Sequence, residues 1–165
     1  AVQASLTGHL VFSTLHTNDA AGAVSRLLDF GVEPYLVSSS LIAIMAQRLV
    51  RRICDSCKEP YEPTKQEIEA VGFNPEEIAG KKFYQGTGCD RCFGTGYRGR
   101  IGIYELMSIT EDIREMIYQR ESAGVIKRKA VQTGMKTLRM DGARKILDGT
   151  TTASEVLRVT QADTV

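Results

Sequence analysis

Four cysteines in two C-x-x-C pairs constrain this chain more than any other feature. They are Cys54/Cys57 and Cys89/Cys92, with 31 residues between the pairs. A C-x-x-C turn holds two thiolates on one side of the backbone, and two such turns facing each other complete a tetrahedron around Zn²⁺. Gly88 and Gly94 flank the second pair, where the chain needs positive φ or a close approach to sulfur. Four thiolates leave no open coordination position, so a zinc held this way is structural, not catalytic. The competing readings are unconnected buried thiols or two redox dithiols. A thioredoxin-type site needs only one C-x-x-C, and a disulfide framework implies an oxidising compartment for which the sequence offers no other support.

The metal pairs sit in a stretch of distinct texture. From Cys54 to Gly99 the chain carries Pro60, Pro63 and Pro75, and Gly86, Gly88, Gly94, Gly96 and Gly99. Helical candidates within it are Thr64 to Val71 and a start at Asn74-Pro75-Glu76-Glu77. The organisation expected is therefore a first region 1–53, a four-Cys subdomain 54–99 and a last region 100–165. In the first region Ala1 to Leu6 reads as the last turns of a helix closed by Gly8, as if the chain were part of a longer protein. His9 to Leu15 reads as a strand buried on both faces. Thr17, Asn18 and Asp19 are N-cap candidates for a helix from Ala20 to Phe30, and a second helix is expected to begin at Pro34, with Leu36 to Ile53 carrying Leu41, Ile42, Met45, Leu49 and Ile53 as its core face. In the last region Arg100 to Met107 reads as a strand. Helices follow at Thr110 to Arg120, Ala123 to Thr133, Leu138 to Asp148 and from Thr152, with Gly134 and Gly149 as stops. The charged residues there (Glu111, Asp112, Arg114, Glu115, Lys127, Arg128, Lys129) read as solvated faces.

Bulk composition bounds the partners. Apolar residues make up 42% and charged residues 25% of the 165, an ordinary balance for a packed domain. Formal net charge is +1, from 21 basic and 20 acidic residues, without the basic excess of a domain that coats nucleic acid. No run approaches the ~20 apolar residues that span a bilayer, so no transmembrane segment is expected.

Only two histidines occur, His9 and His16, at the two ends of the expected first strand. In open α/β sheets the edge beyond the strand C-termini is where ligands bind. An imidazole at that edge, beside Thr14, Thr17 and Asn18, is suited to donate to a phosphate oxygen. The plainer reading is a histidine packed at a strand end with its nitrogens satisfied by backbone.

The stretch Leu6-Thr7-Gly8-His9-Leu10-Val11-Phe12-Ser13-Thr14-Leu15-His16-Thr17-Asn18-Asp19-Ala20 closely resembles the histidine box of the secretion-superfamily ATPases, the hexameric motors of type II secretion and type IV pilus assembly. The resemblance continues through Arg48-Leu49-Val50-Arg51-Arg52-Ile53-Cys54, then Gly88-Cys89-Asp90-Arg91-Cys92-Phe93-Gly94-Thr95-Gly96-Tyr97-Arg98-Gly99-Arg100, and on into Ile103-Tyr104-Glu105. It implies an α/β fold: the C-terminal part of a RecA-like P-loop ATPase core with a tetracysteine zinc subdomain and a helical C-terminal region. It also implies that His16, and more weakly His9, senses or orients at the phosphate side of an ATP and Mg²⁺ site. The implied setting is a homo-hexamer working from the cytoplasm on inner-membrane platform proteins, and the four-Cys insertion points to the assembly or secretion branch. No G-x-x-x-x-G-K-[ST] occurs and no acidic strand end suited to Walker B precedes His9. Without the phosphate cradle and the Mg²⁺ ligand, the chain by itself is expected to be inactive in ATP hydrolysis.

Two alternatives have sequence support. Cys89-x-x-Cys92-x-Gly94-x-Gly96 fits one C-x-x-C-x-G-x-G unit of a DnaJ-like zinc chaperone module, but the Cys54 pair lacks the glycines. Arg91, Arg98 and Arg100 beside Phe93 and Tyr97 offer the arginine and aromatic mix of a stand-alone zinc-ribbon nucleic-acid binder.

Overall fold

The computed structural model describes residues 1–160, so the last five positions of the region expected over 100–165 lie outside the described residues. Its helices are α1 (Val2–Leu6), α2 (Ala20–Asp29), α3 (Pro34–Ser40), α4 (Lys65–Val71), α5 (Pro75–Ile78), α6 (Glu111–Tyr118), α7 (Ala123–Gln132), α8 (Leu138–Leu147) and α9 (Ala153–Val159). The strands are β1 (Ala43–Ile53), β2 (Lys58–Tyr61), β3 (Phe83–Gly86) and β4 (Tyr97–Ser108). The result is an α/β chain in which β1 pairs with β4 and β2 with β3. Two compact units are formed, and the paired strands β1 and β4 contribute residues to each.

The first unit is Ala1–Ala46 with Glu105–Lys136. Here α2 packs on α7, and α3 on α6. Ala20, Ala21 and Ala23 are buried beside Val24, so α2 presents a face of small side chains to its neighbours. Val37, Ile113, Ile117 and Ile126 supply the bulk of this core. Asp19 caps α2 by accepting from Gly22 N–H at 2.9 Å, and Gly31 follows the helix at φ 80°. Thr110 caps α6 through the Ile113 N–H. Both caps satisfy donors that a helix N-terminus leaves without partners.

The second unit is Gln47–Tyr104 with 137–160 of the described residues. β2 and β3 run antiparallel in the register Lys58↔Gly86 to Tyr61↔Phe83. Phe83 is buried, and Phe73 and Tyr61 meet it edge-on with ring centroids 5.5 Å and 6.3 Å away, a favoured aromatic arrangement. Thr64 and Glu67 form a capping box at the start of α4, and Gly72 closes that helix in the left-handed conformation. Arg139 ties the unit together, donating to Ala70 O at 2.9 Å and to Thr160 Oγ1 and O at 3.2 Å and 3.1 Å. Glu155, 1% exposed, accepts from Arg51 N and Nη2 at 2.9 Å and 2.7 Å and from Arg158 Nε and Nη2 at 3.0 Å and 2.9 Å. These donors hold its carboxyl well below the ordinary range, at about 2, although burial alone would raise it.

Two sequence expectations are corrected. The second helix begins at Pro34 as expected but stops at Ser40, and the stretch expected to continue it to Ile53 is the strand β1. Ser38 Oγ donates to Tyr35 O, and Ser39 Oγ to Tyr35 O and Leu36 O, which competes with helix continuation. Leu41 then turns extended at ψ 135°. Ala46 and Val50 are both buried, and a spacing of four fits a strand as well as a helix, so the apolar pattern could not separate the two. The strand expected over His9 to Leu15 is irregular chain with Leu10 72% and Phe12 88% exposed. A strand needs neighbours for its backbone groups, and among the described residues no strand pairs with this segment.

Candidate metal centre and histidine segment

The first C-x-x-C turn begins where β1 stops. Cys54 N–H donates to Gly96 O at 2.9 Å, and Cys57 N–H donates back to Cys54 O at 3.2 Å. The second turn repeats the geometry, with Cys92 N–H donating to Cys89 O at 3.1 Å and Gly94 N–H to the same carbonyl at 3.0 Å. The two turns are laced together by Thr87, whose N–H and Oγ1 both donate to Cys57 O at 3.0 Å and 3.2 Å. Close approach between them depends on glycine. A Cβ at Gly86 would overlap the Gly96 backbone, and one at Gly96 would overlap Gly86. Gly96 also sits at φ 76°, a region that L side chains rarely adopt.

The sulfurs converge. Cys54 and Cys89 Sγ are 3.9 Å apart, Cys57 and Cys92 3.8 Å, and Cys89 and Cys92 3.7 Å, with all four within 4.8 Å of one another. A disulfide would bring a pair to about 2.05 Å. A tetrahedron of sulfurs each about 2.3 Å from one Zn²⁺ has edges of about 3.8 Å. The four thiols are thus free, and the separations of 3.7, 3.8 and 3.9 Å match the edges of a thiolate tetrahedron. Among the described residues they form the one group of His, Cys, Asp or Glu side chains that converges in this way.

Electrostatics favour the thiolate at one of the four. Burial opposes ionisation of Cys92, but the N–H groups of Cys89 and Gly96, 3.2 Å and 3.3 Å from its sulfur, outweigh it and hold the thiol at about 6. Burial pushes the Cys57 thiol up to about 11 against the Gly88 N–H. Binding a cation there therefore expels protons, most costly at Cys57.

The histidines lie elsewhere, on the irregular segment before α2. His9 is exposed, its Nδ1 3.1 Å from Thr7 Oγ1 and 3.3 Å from Ala4 O at the end of α1. His16 is exposed, three residues before the α2 cap. Two residues to which sequence reasoning gave no role at this site hold this cap from a distance. Glu105 in β4, 1% exposed, accepts the Ala20 N–H at 2.8 Å. Lys127 in α7 reaches Asp19 Oδ2 at 3.7 Å with its side chain only 20% exposed, so it does not belong to the solvated face expected of it. The available signal for Glu105 was an acid inside the apolar run of β4; for Lys127 there was none.

Comparison with known proteins agrees over almost the whole chain. A family model described as "Type II/IV secretion system protein" matches residues 1–158. The type IV pilus assembly ATPase PilB of Thermus thermophilus is 50% identical over 157 residues, covering 95% of this chain and 18% of that protein. The type II secretion system protein E of Pseudomonas aeruginosa is 49% identical over 163 residues, covering 99% of this chain and 32% of its own length. The type II secretion system ATPase E of Vibrio cholerae is 47% identical over 161 residues, covering 98% and 31% respectively. The chain thus spans between about a fifth and a third of these relatives.

Proposed function

Since the chain belongs to the type II/IV secretion system protein family, we propose that it is a portion of a cytoplasmic ATPase that powers type II protein secretion or type IV pilus assembly. The observation that carries this reading is identity near 50% to proteins named for those two activities, extending over 95% or more of the chain. In this reading the whole protein is a homo-hexameric motor with a RecA-like core, and it acts on inner-membrane platform proteins. No helix among the described residues is long and apolar enough to cross a membrane.

Within that motor, His16 is proposed to orient or sense the γ-phosphate side of bound ATP and Mg²⁺, with His9 in a lesser role. Exposure of both rings on irregular chain ahead of α2 supports this, because a ligand can reach them. Residues 54–99 are proposed as a zinc subdomain whose ligands are Cys54, Cys57, Cys89 and Cys92. The sulfur spacing supports it, and four thiolates with no open position make the metal a structural brace.

The test is steady-state ATPase activity of the full-length protein with and without His16→Ala. A fall in kcat of at least tenfold is expected, on the scale of removing one stabiliser of developing charge. Wild-type turnover by His16→Ala would reject the assigned role, and absence of any ATPase activity in the intact protein would reject the motor.

A further inference from the structure

We infer that Glu105 is a positioning residue of the motor, fixing the turn that carries His16 by holding the first N–H of α2; this rests on the role proposed for His16. The residues involved come from three distant parts of the sequence. Glu105 lies in β4 between Ile103 and Met107, both buried, and period-2 alternation places all three on the same face of the strand. A packing role at that position calls for an apolar side chain. A carboxylate there is costly to bury unless donors meet it. It accepts the Ala20 N–H at 2.8 Å, and Ala20 is the first residue of a ten-residue helix whose N-terminal dipole favours negative charge.

The neighbouring contacts restrict the same turn. Asp19 Oδ1 takes the Gly22 N–H at 2.9 Å, and Lys127 Nζ stands 3.7 Å from Asp19 Oδ2. Asp19 and Ala20 are thereby fastened by side chains from α7 and β4, while the three residues from His16 to Asn18 lead directly into them. On the other side of His16 the chain is irregular and exposed, Phe12 by 88%. Orientation of the imidazole is therefore set from the α2 side, and catalytic groups misplaced by even ~1 Å lose activity steeply.

The experiment uses the full-length protein with its metal, comparing wild type with Glu105→Ala, Glu105→Gln, His16→Ala and the double variant Glu105→Ala/His16→Ala. Amide exchange over residues 14–24 and ATPase kcat and KM are measured on each. Glu105→Ala is expected to speed exchange at residues 20–22 at least tenfold and to lower kcat at least tenfold, with KM for ATP changed less than twofold. Glu105→Gln retains an acceptor oxygen and is expected to recover both quantities to within about fivefold of wild type. The double variant is expected to be no slower than His16→Ala, because residues acting as one unit give non-additive losses. Unchanged exchange in Glu105→Ala overturns the inference, and so do losses that multiply in the double variant, since a merely structural residue would give those. If His16→Ala turns over like wild type, the role of His16 fails; exchange then decides Glu105 alone, a looser turn upholding its hold on α2 and an unchanged one rejecting it.

Discussion

Cys92 and Cys57 are both ligands in the proposed tetrahedron, yet their surroundings differ in sign. Cys92 meets two N–H donors and is held at about 6, while Cys57 is pushed up to about 11 by burial. Either Cys57→Ser or Cys92→Ser is expected to lower bound zinc from one per chain to less than a tenth, read by elemental analysis, and to disorder 54–99 in amide exchange. Structural zinc carries ~10 kcal/mol or more of apparent folding free energy in small domains, so no partial phenotype is expected. A variant that keeps full zinc and an unchanged melt would remove that cysteine from the ligand set. Glu155 makes a second residue-scale case. Its folded value of about 2 lies below the ordinary carboxylate value, so its stabilising effect is present above about pH 4.3 and fades as pH falls toward 2. The melting difference between wild type and Glu155→Gln should thus be largest near neutral pH and shrink on acidification to pH 2.5. A constant difference would show that the carboxylate charge contributes nothing.

At the scale of elements, the two C-x-x-C turns can face each other only because Gly86 and Gly96 bring their backbones together. Gly96→Ala meets backbone as well as an unfavourable φ, whereas Gly99→Ala, at φ 79° with open space around it, meets only the latter. The left-handed cost alone is roughly 1–2 kcal/mol, so urea denaturation should place Gly99→Ala within that range and Gly96→Ala clearly beyond it. Equal losses would mean that the approach of the two turns is not rigid. The same locality explains what the sequence made legible. Caps, stops and the cysteine pairs are short-range signals: α2, α4, α6 and α9 follow their Asp and Thr caps, and α7 and α8 end at Gly134 and Gly149. Where β1 stands, the deciding partner is β4, about fifty residues later, and no local period carries that information. Glu105 was hidden for the same reason: Ala20, whose N–H it accepts, is 85 residues away.

At the scale of the whole molecule, the candidate ligands all belong to the unit of Gln47–Tyr104 with 137–160. Metal removal by a strong chelator should therefore raise amide exchange in 54–99 while α2, α6 and α7, which form their own core, keep their protection. Loss of protection throughout would mean that the units unfold as one. The 165 residues alone, lacking G-x-x-x-x-G-K-[ST], are expected to show no ATP hydrolysis above a buffer control. Robust turnover by these residues alone would overturn the reading that the phosphate cradle and the Mg²⁺ ligand lie outside them.

The lacing of Thr87 to Cys57 and of Cys54 to Gly96 has a consequence for how such chains vary. With both ends of the 58–86 excursion fastened at the cysteine turns, the segment between is a closed loop whose closure cost grows only logarithmically, by ~0.6 kcal/mol for each doubling of length. Length is thus nearly free there, and spacing within each C-x-x-C is not. Insertions and deletions among relatives should collect around residues 79–82, between α5 and β3, leaving the knuckles and their glycines at fixed intervals.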